Sequence, residues 1–447
     1  MMFLQTFVWG AWYIAAPNYL TTIGFDATDI GWTYTVGPVA GIISPYFMGF
    51  LADRWISTQK LLGALNILAG LIMLVATLQM TGRSPSPPLI NLTLFVYMLA
   101  FYPTLSLIVS LAMRHIANPQ RDYPSVRVLG TVGFMVVSLF LTWVSWETSV
   151  KQFLLSAACS IGLGFYCFTL PATPPLSVAT LMSRSLVGSG VLVLLKDRSF
   201  LIFLICTTLI SIPMAFYYQI ASRVVEMTGL PVGQTLSYGQ MSELVFMLVM
   251  PLFFARLGVK WMLAMGMLSW VLRYALFAMG ATAGVKWLIV AGILLHGVCY
   301  DFLIVTSQIY VDQRAPAPIR AQAQAMLVLF TLGVGFAAGA QIGGRVEQFA
   351  TPAQSRAATA RVQSLGLDIS GLREKLESAP LSERSLIEQQ IDEASKSRDQ
   401  QHALELHSKN WMMIFGVPAG LAFAIALIFI IGFRGSRRPR PSGEALA

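Results

Sequence analysis

The sequence predicts an all-α membrane protein of twelve transmembrane helices, arranged as two six-helix bundles with both termini in the cytoplasm. Three observations predict it. Of 447 residues, 56% are hydrophobic and 11% charged, against the roughly 25% charged of a soluble globular chain. Apolar runs of the ~20 residues needed to cross a bilayer recur from the first residues almost to the last. Basic residues gather in alternate short loops and in the C-terminal tail, the asymmetry that orients membrane helices.

The first run, 3 to 23, contains Trp9, Trp12, Pro17 and Asn18 and lacks a basic leader or a small-residue cleavage site. It therefore reads as a retained helix and not as a signal peptide. Runs near 29 to 52, 60 to 81, 90 to 113, 125 to 146 and 150 to 171 follow. The stretch 172–197 is polar and contains Pro and Ser, and its portion Leu186 to Leu195 is too short to span. It reads as a cytoplasmic linker lying along the membrane surface. Runs near 198 to 222, 234 to 255, 259 to 280, 285 to 311, 321 to 344 and 410 to 433 complete the set. The expected domains are an N-terminal bundle, 1–171, the linker, 172–197, and a C-terminal bundle, 198–447.

With the first helix starting in the cytoplasm, the inner loops and tail hold Arg54, Lys60, Arg114, Arg121, Arg184, Lys196, Arg198, Arg256, Lys260, Arg314, Arg320 and the arginines after 433. The short outer loops hold only Arg83, Lys151, Arg223 and Lys286. The net charge of +9 thus reflects membrane orientation, and nucleic acid is not an expected partner. Cys159, Cys167, Cys206 and Cys299 all fall inside apolar runs and read as small core residues, not as a disulfide framework. A short basic loop recurs at the same point of each half, Gly49 to Arg54 with Lys60 and Phe253 to Gly258 with Lys260. Such an echo is what an internal duplication leaves behind.

Residues 346–409 break the pattern, being rich in Glu, Gln, Arg, Ser and Ala. Leu372, Leu376, Leu386, Ile387, Ile391 and Ala394 fall at helical spacing, with Pro380 as a break. They predict a short helical hairpin on the periplasmic face, since a loop of this length without structure is unusual. Its plainest explanation is a tolerated insert.

Charge inside a bilayer costs a few kcal/mol per group, so an intramembrane ionisable residue is a functional candidate by default. Four qualify: Arg127, Glu243, Arg273 and Asp301. Arg127, Thr131 and Phe134 share one face of the fifth run at spacings of four and seven, offering a cation, a hydroxyl and a ring; the alternative is an interfacial arginine snorkelling to the headgroups. Gln240 and Glu243, three apart on the eighth run, point the same way and suit hydroxyl groups. On the tenth run His296 and Tyr300 share a face, and Asp301 is turned from it by about 100°. A carboxylate held mid-helix is suited to carrying a proton; the alternative is a salt bridge from Asp301 to Arg273. No metal-ligand array, Walker loop or accessible Ser-His-Asp set stands beside these residues, so no enzyme, ATP-driven pump, metal or cofactor is expected.

At these residues the sequence resembles the bacterial nucleoside:proton symporters of the major facilitator superfamily, over nearly the whole chain except 346–409. The runs that carry the resemblance include Trp9 to Trp12, Gly49 to Trp55, Tyr102 to Leu105, Arg127 to Phe134, Gln240 to Glu243, Leu272 to Ala278, Tyr300 to Phe302 and Ile319 to Gln324. The resemblance implies a multi-pass inner-membrane porter, acting as a monomer, that takes up a nucleoside with protons. The nucleoside would be held between Arg127, Thr131 and Phe134 on one side and Gln240 and Glu243 on the other, with Phe134 stacking the base. Asp301 matches the family's acidic position and is assigned the coupled proton. Glu243 is counted beside Asp301 among the proton-coupling residues and, if it lies within reach of Arg127 across the cavity, stays a charged binder; Asp53 and Arg54 belong to a gating loop.

Four departures, on two helices, alter the pocket. Ala215 and Tyr218 stand where the family has a pair of amides, with Gln219 one residue on, while His296 and Tyr300 replace a Tyr and a Phe. Tyr218, Gln219, His296 and Tyr300 are therefore counted with the binding residues, and the sugar and base contacts are expected to differ. Two rivals stand beside this reading. One is the same fold with another small polar cargo, such as a sugar or an exported metabolite. The other is a non-transporting sensor or scaffold that uses the hairpin.

Overall fold

The computed structural model describes residues 1–54, 56–82, 84–116, 119–174, 189–316 and 319–434. All regular structure among the described residues is helical. Among the described residues, seven helices are long and apolar enough to cross a membrane by themselves, and an eighth arises when the bent pair Lys286–Leu294 and His296–Arg314 counts as one span.

The shorter apolar segments have physical reasons for their length. The first is split into α1 (Met2–Gly10) and α2 (Ala16–Leu20), followed by a 3₁₀ turn, Thr21–Ile23. Pro17, in the first turn of α2, has no N–H for the carbonyl of Tyr13 four residues before it. That carbonyl instead accepts a hydrogen bond from the Tyr34 hydroxyl on α3 (Ala27–Arg54). Helices α4 (Thr58–Met80), α5 (Pro87–His115) and α6 (Pro119–Trp143) are long, whereas α7 (Lys151–Cys167) has only 17 residues. After a 3₁₀ stretch, Ser189–Lys196, α8 runs from Arg198 to Met227.

The two runs expected at 234 to 255 and 259 to 280 are two helical arms joined directly at Gly258, together α9 (Val232–Ala283), of 52 residues. Straight, it would be about 80 Å long, more than twice a hydrocarbon core of ~30 Å. It is broken at Gly258, whose φ of 66° and ψ of 177° only glycine adopts without strain. The basic loop read at Arg256 to Lys260 is thus a break of one residue. The two arms flank the same irregular helix: Gly239 lies against His296 and Gly266 against Leu303.

That irregular helix consists of α10 (Lys286–Leu294), a 41° bend, α11 (His296–Tyr300), a π-helical turn at Asp301–Val305 and α12 (Thr306–Arg314). A second π segment, Leu329–Gly335, separates α13 (Arg320–Val328) from α14 (Phe336–Phe349). Helix α14 continues three residues past 346, where the hairpin was expected to start. The hairpin itself is formed by α15 (Ala353–Ser378) and α16 (Leu381–His407), of 26 and 27 residues, with Pro380 capping the second. It is longer than the short one the sequence suggested. Helix α17 (Trp411–Gly432) closes the chain.

Two large apolar cores form. One is built from residues 2–167 with Ala340, the other from residues 191–433. The halves are fastened to each other on the side that bears the hairpin. There Asn18 donates to Glu226 at 2.5 Å and Gln341 donates to Thr35 at 2.9 Å. Glu147 accepts from the Gly233 N–H at 2.5 Å, and so caps the start of α9. Gly31 and Gly344 let α3 and α14 touch: a methyl group on Gly344 would stand 2.7 Å from the Ala27 carbonyl oxygen. The hairpin lies across this side, α15 against Thr21–Ile23 of one half and α16 against α8 of the other.

Candidate functional site

The irregular helix α10–α12 and the first arm of α9 bring most of the expected residues together. A π turn adds a residue to the helical repeat and is a recurrent feature of functional positions; here it begins at Asp301 itself. The preceding bend turns His296 toward α9. Its Nε2 lies 3.4 Å from the Gln240 amide nitrogen and 3.7 Å from Glu243 Oε2, and its ring lies over Tyr300 with centroids 5.9 Å apart. The spacing of three between Gln240 and Glu243 thus translates into two polar groups facing one imidazole.

On its other edge His296 meets Arg273. The guanidinium Nη1 lies 3.1 Å from His296 Nδ1, and its carbon stacks 3.5 Å above the Tyr217 ring, with Trp270 and Phe277 at 5.1 and 5.6 Å. Arg273 is fully buried, and its Nε and Nη2 have no hydrogen-bond partner among the described residues. The alternative of a bridge from Arg273 to Asp301 is therefore not realised. The rotation of about 140° between His296 and Asp301, five residues apart, explains why: the arginine sits on the histidine face. Asp301 is 0% exposed, and neither carboxylate oxygen has a hydrogen-bond partner. An ionised, unpaired carboxylate in apolar surroundings is costly, so its charge must be neutralised by a proton or by a cation brought alongside.

Across from this cluster, Arg127 is exposed and Thr131 and Phe134 are half-buried on α6. The Arg127 charge acts on Glu243, Tyr300 and Asp301. The Phe134 ring packs beside α1, where a methyl group on Gly10 would meet it at 2.9 Å. Tyr218 bridges the halves, its ring 6.4 Å from Tyr13 and 5.7 Å from Phe336. Gln219 turns the other way. It is fully buried against α14, its amide nitrogen donating to the Ala340 carbonyl and its oxygen accepting from the Gly344 N–H, each at 3.2 Å. That contact occupies Gln219 in helix packing, away from the His296 cluster. The side chains of Asp53 and Arg54 lie outside the described residues.

Two features escaped the sequence. Tyr217, the stacking partner of Arg273, looked like one more aromatic in an apolar run. Arg223 was read as an outer-loop residue, but it lies inside α8, fully buried and ion-paired with Glu347. Lys409 reaches Glu347 at 2.8 Å and Glu405 at 2.9 Å, and His402 lies 3.1 Å from Glu405 and 3.2 Å from Glu226. Their separation in sequence, 124 residues for Arg223 and Glu347, left no local signal.

Comparisons with known proteins bear on the family and the fold. A family model described as "Nucleoside H+ symporter" matches residues 1–360. The Escherichia coli protein YegT is 36% identical over 354 residues, covering 77% of this chain and 82% of its own. The xanthosine permease of Escherichia coli is 29% identical over 367 residues, covering 77% and 85%. The crystal structure of the nucleoside transporter NupG superposes with a TM-score of 0.76 at 23% identity, over 97% of each chain. The fold is the major facilitator one.

Proposed function

The chain belongs to the nucleoside H+ symporter family, and from that premise we propose that it takes up nucleosides together with protons across the bacterial inner membrane by alternating access. In this reading all twelve apolar segments cross the bilayer and both termini are cytoplasmic. Residues 1–171 and 198–447 form the two bundles, 172–197 links them, and the protein works as a monomer.

The observation that carries the reading is the pairing of an unpartnered buried carboxylate, Asp301, with a polar cluster one helical turn away. The nucleoside lies between Arg127, Thr131 and Phe134 on α6 and Gln240, Glu243, His296 and Tyr300 on α9 and α11, with Tyr218 at the seam of the halves. Phe134 stacks the base, and the polar groups bond its edges and the sugar hydroxyls. Asp301 takes up the coupled proton. Loading it removes a buried charge, which lowers the cost of moving the site from one side of the membrane to the other. The Asp53–Arg54 turn gates that movement.

The cargo is tested by thermal stabilisation of the purified protein, since a ligand that binds the folded state alone raises its melting temperature. Nucleosides should raise it and sugars should not. Stabilisation by sugars alone would favour the same fold with another cargo.

A further inference from the structure

The imidazole of His296 is caught between two groups of fixed hydrogen-bonding character. A guanidinium only donates, so the 3.1 Å contact from Arg273 Nη1 requires His296 Nδ1 to be the acceptor. A neutral ring that accepts at Nδ1 carries its proton on Nε2. That nitrogen lies 3.7 Å from the Glu243 carboxylate oxygen, an acceptor, and 3.4 Å from the Gln240 amide nitrogen, which only donates, so this tautomer requires the Gln240 amide to turn its oxygen toward the ring. The 3.7 Å separation is long for a hydrogen bond, so the donor at His296 and the acceptor at Glu243 stand side by side with capacity to spare. Arg273 cannot be exchanged for a more ordinary partner, because no carboxylate lies within ion-pair distance of it among the described residues, and its plane is fixed against the Tyr217 ring at 3.5 Å.

We infer that Arg273 is a positioning residue that holds His296 as the Nε2–H tautomer, and that this N–H beside the Glu243 carboxylate selects nucleosides whose base presents an N–H next to a carbonyl. Such a lactam edge, carried by inosine, guanosine, xanthosine and uridine, offers a donor to Glu243 and an acceptor to His296. The amino-substituted edge of adenosine or cytidine places an acceptor ring nitrogen against the carboxylate and an amino group against the N–H, so each meets its own kind. The inference rests on the proposed nucleoside cargo and adds the class of base.

The test uses the full-length protein in lipid nanodiscs and measures affinities for inosine, 2′-deoxyinosine, adenosine, uridine and cytidine. The expected result is that inosine and uridine bind at least about tenfold tighter than adenosine and cytidine, the loss that follows from leaving one buried donor or acceptor unmet. H296F should remove that ratio, bringing inosine and uridine down to the affinity of adenosine and cytidine. R273M should do the same, and R273K, which keeps a donor, should restore part of it. Imidazole ¹⁵N shifts of the wild type should show the proton on Nε2, and in R273M a mixture of both tautomers; a purely structural role for the arginine would leave them unchanged. If R273M does not fold, H296F and the wild-type shifts decide. Equal affinity for the two base classes, or a proton found on Nδ1, overturns the inference. A penalty for 2′-deoxyinosine with no discrimination between bases also overturns it, because it puts the sugar at this edge. If no nucleoside binds the wild type, the cargo itself is wrong and the inference falls with it.

Discussion

Two arginines of the C-terminal half are fully buried, and they are solved in opposite ways. Arg223 meets Glu347 in a two-pronged ion pair, and Lys409, Glu405, His402 and Glu226 extend it into a network that also binds Asn18 of the other half. Arg273 has an imidazole and three aromatic rings, and two of its nitrogens go unmet. A completed network holds one arrangement. An incomplete one leaves donors and a bare carboxylate, Asp301, that a substrate and a proton are able to complete. The difference separates a region that fixes the fold and the hairpin from the region proposed to take substrate and proton.

The most damaging way to break the first region is to remove its central acid. E347A leaves Arg223 buried without its carboxylate, Lys409 keeping only Glu405, and should cost about 3–5 kcal/mol, read as a steep loss of melting temperature and of folded yield. Next comes His402. Burial disfavours its charge, but the hydrogen bonds to Glu226 and Glu405 outweigh burial and raise its pKa from 6.5 to about 9. A group whose pKa is higher in the folded state stabilises in full below its unfolded value and ceases to do so as pH rises through its folded value. The protein should therefore lose up to about 3 kcal/mol between pH 6.5 and pH 9, and H402Q should flatten that part of a melting-temperature profile.

The second region should respond differently. R273M removes a charge that no carboxylate neutralises, so its effect on stability should stay within ~2 kcal/mol while base discrimination changes. A melting curve beside a binding panel separates the two. The smallest effect belongs to the half-exposed pair Arg314 and Asp197, on the side away from the hairpin. R314A should cost less than about 1 kcal/mol and leave ligand binding as it was.

The two regions were also unequally legible. The stripe Arg127, Thr131, Phe134 and the pair Gln240, Glu243 lie on regular helix, where spacing alone says which residues share a face. The meeting of His296 with Arg273 depends on the bend after Leu294, and spacing cannot report a bend. Gln219 looked like a displaced family amide, but one residue is about 100° of rotation, enough to send it into the α14 interface. Arg223 followed the last residue of an apolar run ending at 222 and was assigned to a loop; only its distant partner Glu347 reveals it as interior. Apolar runs mark where helices lie, because a membrane helix is selected for length and apolarity, and the gap between the runs ending at 255 and starting at 259 coincides with the break at Gly258.

The most direct test of the central claim is uptake of labelled uridine and a purine nucleoside into proteoliposomes with an imposed pH gradient, acid outside. The account predicts accumulation above the external concentration that collapses when a protonophore is added and is absent in D301N, with binding retained. Accumulation that ignores the gradient, or that survives D301N, would contradict it.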